Sequence, residues 1–182
     1  MKKQHAFSIA VVLSFAALPA LAQTTAQTIP PGGASVAAAE RAAAVYFTQD
    51  SVGDVQLGQL GLEKGQNAAV RALAKAMSDD HTRTANDGLA VAKKLGADVH
   101  FKPGDDNVIE YAHLARYSGA QFDKEFAAAM VDAHKNDIKT GQTALEFATD
   151  PALRKYLTDG LAINKKHLQM AETAQAQVAK GS

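Results

Sequence analysis

Residues 70–95, VRALAKAMSDDHTRTANDGLAVAKKL, decide the fold. Val70, Leu73, Ala74, Met77, His81, Thr84, Gly88, Val91, Ala92 and Leu95 recur at intervals of three and four, the spacing that puts residues on one face of a helix. Arg83, Lys93, Lys94 and Asp79 fall largely outside that stripe and Asp80 lies at its border. The pattern predicts a helix from about Ala68 to Leu95, ended by Gly96. At its centre, Met77-Ser78-Asp79-Asp80-His81 places an imidazole inside the apolar stripe.

Three flanking segments have similar length, and each carries a polar residue near its midpoint. Upstream, Val36 to Lys64 reads as a helix through Val45, Val52, Val55, Leu57, Leu60 and Leu62, with Asp54 near its middle. Gly53, Gly58 and Gly61 each cost this helix about 1 kcal/mol against Ala, but permit a neighbouring helix to approach closely. Gly65-Gln66-Asn67 supplies a stop and a short turn. Downstream, residues 120–149 carry Phe122, Phe126, Met130, His134, Ile138 (or Asp137), Gly141 and Leu145 on one face. Asp150-Pro151 is an N-cap followed by a first-turn proline. It opens a last helix to about Ala179, with His167 inside its apolar face.

Residues 97–119 form a connection too long for a simple turn. It contains Pro103 and Gly104 and a short helical stretch, Val108 to Tyr117, and predicts a crossover between the second and third long helices. His100 and His113, on this connection, read as solvated or packing histidines.

The expected architecture is therefore all-α: a ferritin-like, up-down four-helix bundle over residues 36–180. Residues equally far from a hairpin turn lie at equal height. Asp54 and His81 are 12 and 15 residues from Gln66, a mismatch of about 4 to 5 Å at helical rise. His134 and His167 are 16 and 17 residues from Asp150. The four polar residues thus converge at mid-height in an apolar core. One reading makes His81, His134, His167 and Asp54 the ligands of one divalent transition metal, Zn, Cu, Fe or Ni, with Asp80 and Asp123 supporting them from behind. The other makes them a hydrogen-bonded network that holds the helices in register. In that case the protein acts by contact, as a homo-oligomer or with an envelope protein partner.

The ends and the composition set the compartment and exclude several functions. Lys2 and Lys3, an apolar run from Phe7 to Leu18 and Ala20-Leu21-Ala22 before Gln23 read as a secretory signal peptide, residues 1–22. Residues 23–35 read as a flexible leader. Basic and acidic residues number 19 each; losing Lys2 and Lys3 leaves 19 − 2 = 17 basic ones and a net charge of −2, which argues against nucleic acid. No cysteine is present, so disulfides and thiolate metal sites are excluded. Ser-His-acid, phosphate-loop and His-Glu-x-x-His motifs are missing, so an enzyme is the least supported class.

With these positions in hand, the chain resembles a family of exported bacterial proteins, domain of unknown function 4142, ferritin-like in architecture. The resemblance rests on Asp54-Val55-Gln56-Leu57-Gly58, Val70 through Met77 with Asp80-His81, Phe122-Asp123, Met130-Val131, His134, Lys166-His167-Leu168 and Met170-Ala171, and covers roughly residues 42–175. It implies a four-helix fold, export and a periplasmic location, and no established activity. Asp54 stands where that family commonly carries Glu. Di-iron proteins of this architecture place Glu on two helices and Glu-x-x-His on the other two. Here Ser78 and Asn164 stand three residues before His81 and His167, so the expectation is that bridging carboxylates are absent.

Overall fold

The computed structural model describes residues 34–180, which are helical apart from short connections. The expected signal peptide and nearly all of the expected leader lie outside the described residues. The helices are α1 (Ala34–Lys64), α2 (Ala68–Lys94), α3 (Asp105–Leu114), α4 (Gly119–Phe147) and α5 (Pro151–Lys180). Four are long, and α3 is the short helix of the crossover, beginning three residues before the predicted Val108. None is long and apolar enough to cross a membrane among the described residues.

Local chemistry explains the boundaries. The Asn67 side chain accepts from the N–H groups of Ala69 (2.8 Å) and Val70 (3.4 Å), and Asp150 does the same for Ala152 (2.8 Å) and Leu153 (3.0 Å). Each satisfies amides that a helix start leaves unpaired. At the far end of α2, Gly96 adopts φ 70°. Its N–H donates to Lys93 and that of Ala97 to Ala92, the paired closure that favours glycine.

α1 pairs with α2 and α4 with α5; the hairpins meet through α2 on α5 and α1 on α4, with α3 against α1 and α4. Glu40, early in α1, accepts from Asp150 N–H (2.8 Å) and the Thr149 hydroxyl (2.9 Å) after α4. Asp123, early in α4, accepts from Gln66 N–H (3.0 Å) and Asn67 N–H (2.8 Å) after α1. α1 and α4 are therefore antiparallel, and the long helices run up, down, down, up. A plain up-down alternation is not what forms, because the 97–119 connection carries the chain back along the molecule before α4 begins.

Those swapped caps expose an internal repeat. Glu40 and Asp123, Asn67 and Asp150, Arg71 and Arg154, and Gly58 and Gly141 are each 83 residues apart, as 123 − 40 and 150 − 67 show. Arg71 donates to the carbonyls of Leu62 and Gly65, and Arg154 to those of Leu145 and Ala148, which are themselves 83 residues apart. At Gly58 a Cβ would lie 2.8 Å from the Ala74 carbonyl and 2.9 Å from the Ser78 nitrogen, so α1 and α2 approach as closely as they do only because this residue has no side chain.

Two apolar blocks fill the interior. One surrounds Leu57, Leu73, Met77, Phe122, Phe126 and Met130; the other contains Ala44, Ala92, Leu153, Tyr156 and Leu157. On every long helix the residues of interest lie between the two. Apolar packing on both sides shields that layer, which raises the penalty for any polar group left without a partner.

Candidate metal centre

The structure brings His81, His134, His167 and Asp54 together, each at most 2 % exposed. Each histidine offers a ring nitrogen, and the three nitrogens lie within 4.8 Å of one another. His167 Nδ1 is 3.2 Å from His81 Nε2. Asp54 Oδ2 is 3.4 Å from the same His81 nitrogen, close but not hydrogen-bonded, and without another partner.

The surroundings fix the protons. His134 Nδ1 lies 2.7 Å from the Met130 carbonyl, which can only accept, so Nδ1 carries the hydrogen and Nε2 presents a bare lone pair. That Nε2 is buried and unpartnered. His167 Nε2 lies 3.0 Å from Asp80 Oδ2, also acceptor-only when ionised, so His167 directs its own lone pair, on Nδ1, toward His81. Asp80 is held ionised: burial raises its pKa, but hydrogen bonds from Lys166 and His167 outweigh that and lower it. Lys166 donates to Asp80 Oδ2 at 3.0 Å, and Arg83 pairs with Oδ1.

All three rings are neutral. Burial pushes His81 well below its ordinary value, reinforced by His167 and His134. His134 is lowered to about 4 by burial, against the Met130 hydrogen bond. His167 is lowered by burial, with Asp80 opposing. Three neutral imidazoles with two outward N–H groups committed share one inward proton, on His81. It satisfies His167 and leaves His134 Nε2 with nothing.

Such anchoring of the outer nitrogen by a carbonyl or a carboxylate is how proteins orient metal-binding histidines. A tetrahedral ion with bonds of 2.0–2.1 Å sets its nitrogen ligands about 3.3 Å apart. The His81–His167 separation already matches, the His81–Asp54 separation is close to it, and the His134 nitrogen, within 4.8 Å of the other two, needs to close by at most about 1.5 Å.

Of the two flanking acids expected from sequence, Asp80 is in place against His167. Asp123 is not. It shares a helix face with His134, but eleven residues of rise separate them by about 16 Å, and it caps the α1–α2 turn instead.

Sequence reasoning missed Asp50 and Asp137. With Asp54 they form a second cluster, their carboxylate oxygens within 4.8 Å of one another. Burial raises Asp50 to about 6, with Asp106 adding and an Asn107 hydrogen bond opposing. It raises Asp137 to about 8, with Asp50 adding. Asp54 is raised well above the carboxylate range by burial and then by both neighbours. The positions three residues before His81 and His167 are Ser78 and Asn164, as read from the sequence; the additional carboxylates, Asp50 and Asp137, come from α1 and α4. The internal repeat was the available signal, since 83 residues also relate Asp54 to Asp137, Ser51 to His134, His81 to Asn164 and Thr84 to His167.

His100 is exposed, and His113 meets Arg116 on the surface at 2.7 Å, so neither joins the site. Comparison with curated proteins finds no match, and comparison with solved structures finds none either. A family model, domain of unknown function (DUF4142), matches residues 17–174. The chain belongs to that family.

Proposed function

We propose that this is an exported, periplasmic protein whose ferritin-like four-helix bundle holds one divalent transition metal, Zn, Cu, Fe or Ni. The ligands are His81, His134, His167 and Asp54, and Asp80 orients His167. The protein serves metal handling or envelope stress rather than catalysis. One observation carries the reading: the buried, unpartnered lone pair of His134 Nε2 in a nitrogen cluster whose outer N–H groups are already committed. A purely structural network satisfies its members, and this one leaves Nε2 of His134, Nδ1 of His81 and Oδ2 of Asp54 unpartnered. Imidazole and carboxylate together suit these metals. The basic start, apolar run and small-residue cleavage site support export.

The test is metal analysis of the mature chain, residues 23–182, purified untagged from its native compartment, alongside His81→Ala and His167→Ala. Stoichiometric metal lost in both variants is the expected result. A wild type that is metal-free, stays so after incubation with each ion and gains no thermal stability contradicts it. Export is tested by mass spectrometry, which should find the mature N-terminus at Gln23.

One observation favours a second reading, a contact module with structural histidines. The crossover exposes Phe101, Val108, Ile109 and Tyr111, with Ile109 at 67 %, an apolar surface of the kind that docks partners. A dimer lost on Ile109→Asp, in a protein that binds no metal, would select it.

A further inference from the structure

No lysine or arginine lies within ion-pair distance of Asp50, Asp54 or Asp137 among the described residues. The side-chain amide of Asn107 on α3 hydrogen-bonds Asp50. Asn107 sits on Gly53, where a Cβ would lie 2.2 Å from its side chain, so the absent side chain at 53 is what allows α3 to reach the cluster.

Two further features point to a ligand. Beneath the cluster lies a cavity of about 20 Å³, lined by Asp50, Asp137, His81, Tyr156 and Asn164. Asn164, 8 % exposed, lines it with Asp50 and Asp137, and its Oδ1 is buried with no partner; so is Oε1 of Glu110, which lines the cleft described next together with all three aspartates. On the outer side, a cleft of about 270 Å³ between α1, α3 and α4 reaches all three aspartates, and Asp106, Glu110 and Asp132 line it as well. A passage lined with one sign of charge concentrates ions of the other.

We propose that Asp50, Asp54 and Asp137 form a second site, for a divalent cation that prefers oxygen ligands, loaded through the acidic cleft and sharing Asp54 with the histidine site. This deepens the metal reading above and rests on it: Asp54 is placed between the two clusters, with Oδ2 facing His81 and its carboxylate within 4.8 Å of Asp50 and Asp137. The donor chemistry separates the two positions. Imidazole nitrogen selects Zn, Cu, Fe or Ni, whereas an all-oxygen set suits Mn, Mg or Ca. The competing account of the aspartates is that they share protons and bind no cation.

The experiment uses two ions with separate readouts on the chelator-stripped mature chain. One equivalent of Co(II) is added first, and its visible absorption reports nitrogen ligation at the histidines. Mn(II) is then titrated, and the loss of the free-ion electron paramagnetic resonance signal reports its binding. The expected result is one further equivalent of Mn(II) bound with the cobalt spectrum retained. Asp50→Asn with Asp137→Asn keeps the cobalt spectrum and weakens Mn(II) at least tenfold. That double variant exchanges carboxyls for amides of nearly the same shape, and its circular dichroism checks that it folds. Asp106→Asn with Asp132→Asn, at the cleft, slows Mn(II) uptake severalfold. Cobalt bound with no Mn(II) uptake overturns the second site and leaves the histidine site standing. Mn(II) binding undiminished in the Asp50/Asp137 variant overturns it as well. No cobalt spectrum in the wild type overturns the histidine site and the shared centre together.

Discussion

Replacing Asp137 by Asn in the metal-free protein should flatten its stability above neutral pH. The Asp137 side chain is 5 % exposed, and burial, then Asp50, raises its pKa to about 8. In the unfolded chain the group titrates near 3.9. A carboxyl raised on folding holds a proton that unfolding releases, so the stability it contributes is present at low pH and is lost as pH rises through the folded value. Between pH 4 and 6.5 the effect is masked. His81 and His134 have lowered values and act in the opposite sense there, since unfolding lets them take up protons. Above pH 6.5 the histidines are silent, and Asp50, raised to about 6, has mostly titrated. Asp137 then contributes a proton of its own, with Asp54 acting in the same direction. One proton released over 1.5 pH units corresponds to about 1 to 2 kcal/mol lost between pH 6.5 and 8, or a midpoint lower by roughly 5 °C for a chain of this size. Urea melts followed by circular dichroism at pH 6.5, 7.2 and 8 measure it. The wild type should weaken across the series and Asp137→Asn should weaken much less. A flat wild-type curve, or equal slopes in both proteins, refutes the buried, proton-holding cluster.

Other consequences are independent of that one. Asp80→Asn removes the ionised acceptor that orients His167 and should weaken metal affinity about 10- to 100-fold, read by competition against a chromophoric chelator with the fold unchanged. Asp123→Ala strands the Gln66 and Asn67 amides and should cost about 1–3 kcal/mol in a denaturant melt, while metal affinity stays as in the wild type. Gly58→Ala drives a methyl into the α2 backbone and should cost about 1–3 kcal/mol; a neutral result would mean that α1 and α2 are further apart than described.

The helix ends were legible because their chemistry is local: Asn67, Gly96 and Asp150-Pro151 each satisfy or close backbone groups of their own segment. The meeting of Asp54, His81, His134 and His167 was legible because helical rise converts sequence distance from a turn into height. Asp50 and Asp137 were not. Asp50 lies one turn before Asp54 and near the same face, but its cover includes Asn107 of the α3 crossover, a contact that the pattern of α1 alone does not show. Asp137 competes with Ile138 for the same stripe, and periodicity alone does not choose between neighbours. Asp123 failed for the opposite reason: it has the right face and the wrong height. The 83-residue repeat escapes notice because its polar positions have diverged, with His81 answering to Asn164 and Thr84 to His167, while the residues that stayed alike, such as Arg71 and Arg154, serve the turns.

The most direct test of the metal centre is a crystal structure of the zinc-loaded protein with anomalous scattering collected at the zinc edge. The expected map shows one strong peak 2.0–2.1 Å from Nε2 of His134 and Nδ1 of His167, with His81 and Asp54 completing the shell. A zinc ion held elsewhere, or a histidine cluster that remains empty in saturating zinc, would contradict it.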